Sequence, residues 1–308
     1  LSIRRQRQMC IRDRDGVDRV TPLLLRVSDN KIWLRGGRCW LRAMLSQWSG
    51  EERLHANVLT PVLISGKQGL SKSTFCRLLM PDSLRHYFID NLNLTAGSSP
   101  EKKLVKNGLI NLDEFDKIKE SQQATLKNLL QMVNVPVFRG KRLGWVNESR
   151  LASFIATTNV YQVLIDSTGS RRFLCVEVLK PISEEPLEHK QIYAQLKEEL
   201  KSGAPDYLNK EEEKALQKHN KAYYRQSLLE DVFHCCFRHP LETEKGIWLT
   251  TAEIFQVMRK FNSAALKEVS ARQLGLKLSA MGYMAKHTSF GNRYYVFNLS
   301  AEKKEVSL

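Results

Sequence analysis

The sequence predicts an α/β protein, a mainly parallel sheet flanked by helices, followed by a smaller unit of helices and two strands. Three observations predict it. Residues 57–180 alternate short apolar runs with segments of helical period, the pattern of strands joined by crossover helices. A glycine-containing loop, Gly66 to Ser73, separates the first of those runs from the first helix. Residues 229–300 carry three helical patterns and then a two-strand pattern. At 308 residues the chain can build one sizeable core or two modest ones.

The elements divide the chain into five segments. Residues 1–14 read as non-native: "RQRQMCIRDR" resembles translated sequencing-adapter read-through, and the native chain is expected to continue upstream. Residues 15–56 form an N-terminal helical segment in which Trp33, Trp40, Leu41, Met44, Leu45 and Trp48 recur at three- and four-residue steps, an apolar face fit for a core or a domain interface. Residues 57–182 hold the sheet. Val62-Leu63-Ile64 is a strand, with Pro61 at its start, where a missing N–H is tolerated. Thr74 to Met80 is a helix stopped by Pro81, and Tyr87 to Asp90 a second strand. Ser99-Pro100-Glu101 reads as N-cap, first helical position and acidic first turn. "GLINLDEFD", "LASFIATTN" and "RRFLCVEV" supply further strands. Residues 183–228 are polar and helical, a linker or lid whose charge run is a solvated face, and residues 229–308 form the last unit.

Composition limits the function. The apolar content is 42% and no apolar run reaches membrane-spanning length. The six cysteines are scattered, which argues for reduced thiols in a cytoplasmic protein rather than a disulfide framework. The first residues lack the apolar region of a signal peptide. The formal net charge is +15, inflated by five arginines against one aspartate in residues 1–14. The basic surplus points to a polyanionic partner, nucleic acid most often, with a merely soluble basic protein as the other reading.

Four motifs carry chemistry. The first approaches the pattern Gly, four residues, Gly-Lys-Ser/Thr, in which backbone N–H groups wrap phosphates, the lysine reaches the outer ones and the hydroxyl meets Mg²⁺. Gly66, Gly69, Lys72, Ser73 and Thr74 are placed for this, and Ser71 stands where the second glycine belongs, costly if its φ is positive. The second puts Asp113-Glu114 at the carboxyl end of an apolar strand, forty residues after Ser73. An aspartate there can hold Mg²⁺ and the glutamate can polarise a water; an exposed acidic turn is the plainer reading. Asn111 inside that strand must find amide partners. The third is Asn159, ending a strand after Thr157-Thr158, able to orient a water against a terminal phosphate. The fourth is Arg171-Arg172 after a Gly-Ser turn, able to stabilise charge on a neighbouring subunit's nucleotide or simply to anchor a sheet edge.

In this order, "QGLSKSTFCRLLMP", "GLINLDEFDK", "SFIATTN" and "TGSRRFLCVEV" resemble the P-loop ATPase of the virulence-associated protein E family, proteins of phages and mobile elements related to superfamily 3 helicases and primase-linked ATPases. The resemblance spans roughly residues 31–300 and takes in a C-terminal domain of unknown function. It implies a P-loop NTPase fold of the AAA+/superfamily 3 helicase kind and an ATP-hydrolysing nucleic-acid motor or remodeller. The implied cofactors are ATP and Mg²⁺. The implied partners are DNA, other copies in a ring, and a primase domain upstream or in trans, with no membrane. By position it implies that Lys72 and Ser73 meet phosphate and Mg²⁺, and that Asp113 holds Mg²⁺. Glu114 would activate water, Asn159 would act as sensor, and Arg171 or Arg172 would be an arginine finger. The alternative is an ATP-switched DNA-binding or loader protein that separates no strands. A small-molecule P-loop kinase is disfavoured by Asp113-Glu114 and Asn159.

Two further regions bear on nucleic acid. In "VPVFRGKRLGWVNESR", Val135, Val137 and Leu143 flank Arg139-Gly140-Lys141-Arg142, a hairpin with a basic tip. Superfamily 3 helicases grip DNA in the ring channel with such a hairpin; the alternative is a solvated turn. The C-terminal unit reads as a winged helix. "LTTAEIFQVMRKF" is capped by Thr250 or Thr251, "SARQLGLKLSAMGY" is capped by Ser270 with Leu274, Leu278 and Met281 inward, and a wing turns at Gly291-Asn292. Arg272, Lys277, Lys286 and Arg293 would form its basic face; a protein-contact role is the alternative. His234, Cys235, Cys236 and His239 lack the paired spacing of a zinc site and read as part of a buried helix.

Overall fold

A computed structural model of the chain describes residues 14–49, 55–95, 99–165, 167–225, 228–241, 243–266, 269–289 and 291–299. The segment expected to be non-native therefore lies, apart from Arg14, outside the described residues. The chain forms two compact units that divide between Tyr224 and Arg225.

The first unit begins with α1 (Val20–Leu25) and α2 (Lys31–Ser49), then β1 (Thr60–Ile64), α3 (Lys72–Leu78), a 3₁₀ turn at Asp82–Tyr87 and β2 (Phe88–Asp90). Next come α4 (Glu101–Lys106), β3 (Leu109–Leu112), a 3₁₀ turn at Phe115–Lys117, α5 (Glu120–Gln131) and the antiparallel hairpin β4 (Asn134–Phe138) and β5 (Trp145–Ser149). β6 (Ser153–Thr158), a 3₁₀ turn at Ser167–Arg172, β7 (Phe173–Glu177), α6 (His189–Lys201) and α7 (Lys210–Asn220) complete it.

The five-stranded sheet runs β2-β3-β6-β1-β7 with every neighbour parallel. Parallel strands need crossovers that cover both faces, and every residue of β1, β3 and β6 is buried. Alternate residues serve opposite cores. Leu63 joins the cluster with Trp40, Phe75 and Leu174, whereas Val62 and Ile64 join that with Leu104, Leu130 and Phe154. Parallel order also brings all the carboxyl ends to one edge.

The tryptophans of α2 are core. Trp40 and Trp48 donate their indole N–H groups to the carbonyls of Phe154 at 3.0 Å and Gly108 at 2.9 Å, and Trp33 donates to Leu24 at 2.8 Å. A buried indole requires such a partner. Segment 15–56 and residues 183–224 of the segment 183–228, which the sequence sets apart from the sheet, belong to the same unit as it. Trp33, Trp40, Ile192, Leu196 and Leu216 share one cluster with Leu63, so these helices fill the face that the crossovers leave open.

Local boundaries shift slightly. α3 starts at Lys72 and ends at Leu78, two residues ahead of the expected Thr74–Met80. Ser99 is not the cap of α4: Pro100 takes the N-cap position, already with helical dihedrals, and no side chain caps the turn.

Arg150 is buried between α5 and the sheet. Its guanidinium donates to the carbonyls of Leu129 (3.0 Å), Leu130 (2.8 Å), Ala152 (2.7 Å) and Asn57 (3.2 Å). It thereby satisfies carbonyls in the last turn of α5 that the helix leaves unpaired.

The second unit holds α8 (Leu228–Cys236), β8 (Phe237–Arg238), β9 (Ile247–Thr250), α9 (Thr251–Phe261), a 3₁₀ turn at Ala264–Leu266, α10 (Ala271–Ala280), β10 (Ala285–Thr288) and β11 (Gly291–Asn298). Thr250 with Glu253, and Ser270 with Gln273, close capping boxes. Phe233, Ile254, Met258, Leu274 and Leu278 form its core. The expected strand pair is a four-stranded sheet in which β11 pairs with β8, β9 and β10. The expected turn at Gly291-Asn292 is corrected: Thr288 pairs with Gly291 and His287 with Asn292, so both residues belong to β11. β9 also pairs with β11 on its other side, a pairing across sequence that no local turn signal announces.

Replacing Arg150 with Met keeps the volume and removes every donor. Urea unfolding followed by circular dichroism is expected to show a loss of about 3 kcal/mol, the cost of leaving two or three buried carbonyls unpaired. An unchanged midpoint would show that these hydrogen bonds contribute nothing net.

Candidate functional site

The loop after β1 is shaped by two left-handed residues, Gly69 (φ 77°) and Ser71 (φ 57°). Gly66 is held for a different reason. A Cβ there would stand 2.9 Å from the Tyr161 ring, whose hydroxyl donates to Glu177 Oε1 at 2.7 Å. Lys72 opens α3 and is 8% exposed. Its Nζ donates to Asn159 Oδ1 at 2.8 Å and to Ser65 Oγ. Burial lowers the Lys72 pKa from its ordinary value, while the Asp113 carboxylate works in the opposite direction.

Asp113 follows β3 directly. Its Oδ1 accepts from Ser73 Oγ at 3.2 Å and from the Thr157 hydroxyl. Since β6 lies between β1 and β3, Thr157 and Asn159 stand between the lysine and the carboxylate. Thr158 donates to Asp116 Oδ1 at 2.6 Å. Asn111 donates to Asp90 Oδ1 at 2.9 Å, and its own Oδ1 is a buried acceptor with no partner among the described residues. Glu114 is in the left-handed region (φ 52°), is exposed, and pairs with Lys117 at 2.6 Å.

The donor set fits the expected groups. A hydroxyl and a carboxylate oxygen sharing a hydrogen bond are hard ligands of the kind Mg²⁺ takes, and the adjacent ammonium suits a phosphate. Thr74 is exposed on α3 beside them. The structure brings Lys72, Ser73, Asp113 and Asn159 together, with Glu114 at the same edge but turned to Lys117. Arg171 lies 3.6 Å from Glu213, so its charge is partly met within the chain; Arg172 lies in the same 3₁₀ turn. In the hairpin, Arg139 is not a free tip cation, because its guanidinium meets Glu148 at 2.6 Å across the strands. Lys141 and Arg142 occupy the exposed turn. In the second unit Lys277 is paired to Glu230 at 2.7 Å, whereas Arg272 and Lys286 are exposed and Arg293 is half-buried. Among the described residues, no cluster of three His, Cys, Asp or Glu is placed to hold a metal, and none of the helices is long and apolar enough to cross a membrane.

Sequence reasoning passed over Ser65, Thr157 and Asp116. The one signal was the polar run Thr157-Thr158-Asn159 after an apolar strand; which hydroxyl meets which carboxylate depends on strand order.

A serine with φ near 57° carries the steric cost that glycine lacks. Ser71→Gly is expected to stabilise the chain by about 1 kcal/mol in urea unfolding. A destabilised variant would mean that the Ser71 side chain makes compensating contacts.

Comparison with known proteins follows this geometry. No curated protein matches the chain. Two solved structures of the apo C-terminal region of NrS-1 (305–718) are similar at 13% and 14% identity, with TM-scores of 0.45 and 0.44, each covering 90% of this chain and 74% of the other. Residues 226–296 match a domain of unknown function, DUF3874. Residues 9–225 match the virulence-associated protein E-like domain, and the chain belongs to that family.

Proposed function

We propose that the chain is a Mg²⁺-dependent ATPase of the P-loop kind that acts on nucleic acid. The observation that carries this is the convergence of four groups at the carboxyl edge of a parallel sheet. The Lys72 ammonium is held by Asn159, and the Ser73 hydroxyl by Asp113. Lys72 would hold the outer phosphates, and Ser73 with Asp113 would hold Mg²⁺, which supplies charge neutralisation at the phosphates. Asn159 already touches the lysine and would orient a water near the same phosphate. A chain that stays basic without the five arginines and one aspartate of residues 1–14, and membership of a family resembling helicase-related ATPases, support nucleic acid as the partner. The second unit, with its α8–α10 core and its β10–β11 hairpin, supports a winged-helix reading in which exposed Arg272 and Lys286 face DNA. A ring assembly with Arg171 or Arg172 acting in trans is part of this reading.

The second reading, an ATP-controlled DNA-binding or loader protein that separates no strands, is favoured by one feature. Glu114, the expected water activator, is exposed and paired with Lys117, so fast turnover requires it to leave that pair. Strand displacement on a forked duplex separates the two readings.

Lys72→Ala in the full chain is expected to abolish ATP binding. Glu114→Gln is expected to retain binding and lower hydrolysis at least about 100-fold, the scale of a lost general base. Affinity and turnover are measured separately, and wild-type hydrolysis by Glu114→Gln would remove this residue from the chemistry.

For duplex DNA, replacing Arg272 and Lys286 together is expected to flatten the salt dependence of affinity by about 1.8 log units per log unit of salt, the value for two phosphate contacts. Anisotropy titrations at several salt concentrations read this directly, and an unchanged slope would support a protein-contact role for the unit.

A further inference from the structure

We infer that a second ligand site, for the backbone of single-stranded nucleic acid, lies in the groove between the hairpin and α4, at the edge of the sheet opposite the nucleotide site. The inference rests on the nucleic-acid reading above but uses different residues.

The groove has a volume of about 950 Å³ and is bounded by His86 and Tyr87, by Lys103 and Lys106 of α4, and by Val146 and Glu148 of β5. Its place follows from the strands. Tyr87 immediately precedes β2, α4 ends just before β3, and β5 ends just before β6. These are the amino ends of the same strands whose carboxyl ends carry Asp113 and Asn159. β3 and β6 therefore run from the groove to the nucleotide site.

Charge selects the occupant. Lys103 and Lys106 are exposed, one helical turn apart and on the same face of α4. Among the described residues neither has a carboxylate within ion-pair distance. The one acid among the described residues of the wall, Glu148, is paired with Arg139, whose position is thereby fixed. The groove thus presents two unmatched cations above a wall with apolar and amide groups, and on the hairpin it reaches Leu143. The His86 and Tyr87 rings lie against each other at its other side, a surface on which a base can stack. Spaced cations beside an aromatic face, with room along the wall, suit a flexible phosphodiester chain with exposed bases. A rigid duplex presents its bases stacked inside and cannot use such a slot.

The test uses the full chain and a fluorescein-labelled oligothymidine, titrated by anisotropy at several salt concentrations. Lys103→Ala with Lys106→Ala is expected to flatten the salt slope by about 1.4, two contacts at the single-strand value. Lys214→Ala with Lys218→Ala on α7 removes equal charge elsewhere and is expected to leave the slope unchanged. Val146→Trp fills the groove without changing charge and is expected to weaken binding at least about tenfold, the scale of losing one stacked base. ATP affinity without oligonucleotide is expected to stay at the wild-type value in all three. Wild type that binds oligothymidine while both groove variants bind it equally well would overturn the groove and leave the nucleic-acid reading intact. Wild type that binds no strand even at low salt would overturn that reading as well. Groove variants that change the assembly mass at unchanged oligothymidine affinity would show the groove to be a contact between copies and overturn the inference.

Discussion

The hydrogen bonds onto Asp113 Oδ1 set the arrangement of the candidate site. One comes from Ser73, at the start of α3, and one from Thr157, the residue before the last of β6. They join three chain segments that are remote in sequence, and only one strand order brings them together. β6 must lie between β1 and β3, as it does. A one-residue slip of β6 would turn Thr157 to the opposite face and leave the carboxylate without that donor.

The rest of the first unit keeps that order in register. β1, β3 and β6 are buried along their whole length, so most of their residues are apolar, and the cover comes from both ends of the first unit. α2 is locked to β6 and to the residue before β3 by the indoles of Trp40 and Trp48. Arg150 ties the end of α5 to the segment leading into β6. Both devices act at the amino end of the sheet, away from the site they position. The opposite edge bears the strain. The three left-handed residues other than glycine among the described residues are Ser71, Asn91 and Glu114; Asn91 and Glu114 lie just beyond the carboxyl ends of β2 and β3, and Ser71 closes the loop between β1 and α3. Strain of this kind persists where surrounding structure over-determines the backbone and is common at ligand sites. Burying Lys72 adds a further cost, since desolvation opposes its charge. Under the proposed function, a phosphate beside it would relieve that cost.

The electrostatics of the surface differ from a count of charges. Arg139, Lys277 and Arg171 each lie near a carboxylate of their own unit, Glu148, Glu230 and Glu213. Exposed cations without a carboxylate at ion-pair distance among the described residues include Lys141 and Arg142 at the hairpin turn, Lys103 and Lys106 of α4, and Arg272 and Lys286 in the second unit. Arg139 still matters, because it pairs with Glu148, the one acid among the described residues of the groove wall.

What the sequence by itself determined is whatever depends on neighbours along the chain. Strand and helix periods, the loop from Gly66 to Ser73, Asp113 at a strand end, the caps at Thr250 and Ser270, and the buried face of Trp33, Trp40 and Trp48 were all legible, because each is a pattern within one or two turns of backbone. The cost of a serine at position 71 was legible too, as a condition on φ that the structure then met. What only the tertiary structure decided is whatever depends on proximity across the chain. Which hydroxyl meets Asp113, which arginine is already paired, where the hairpin of the second unit turns, and that Arg150 caps a helix from nineteen residues beyond its last residue follow from strand order and register. These are set by the joint burial of two cores. A charged side chain reads the same in sequence whether its partner is solvent, a carboxylate or a ligand, and only folding assigns the partner.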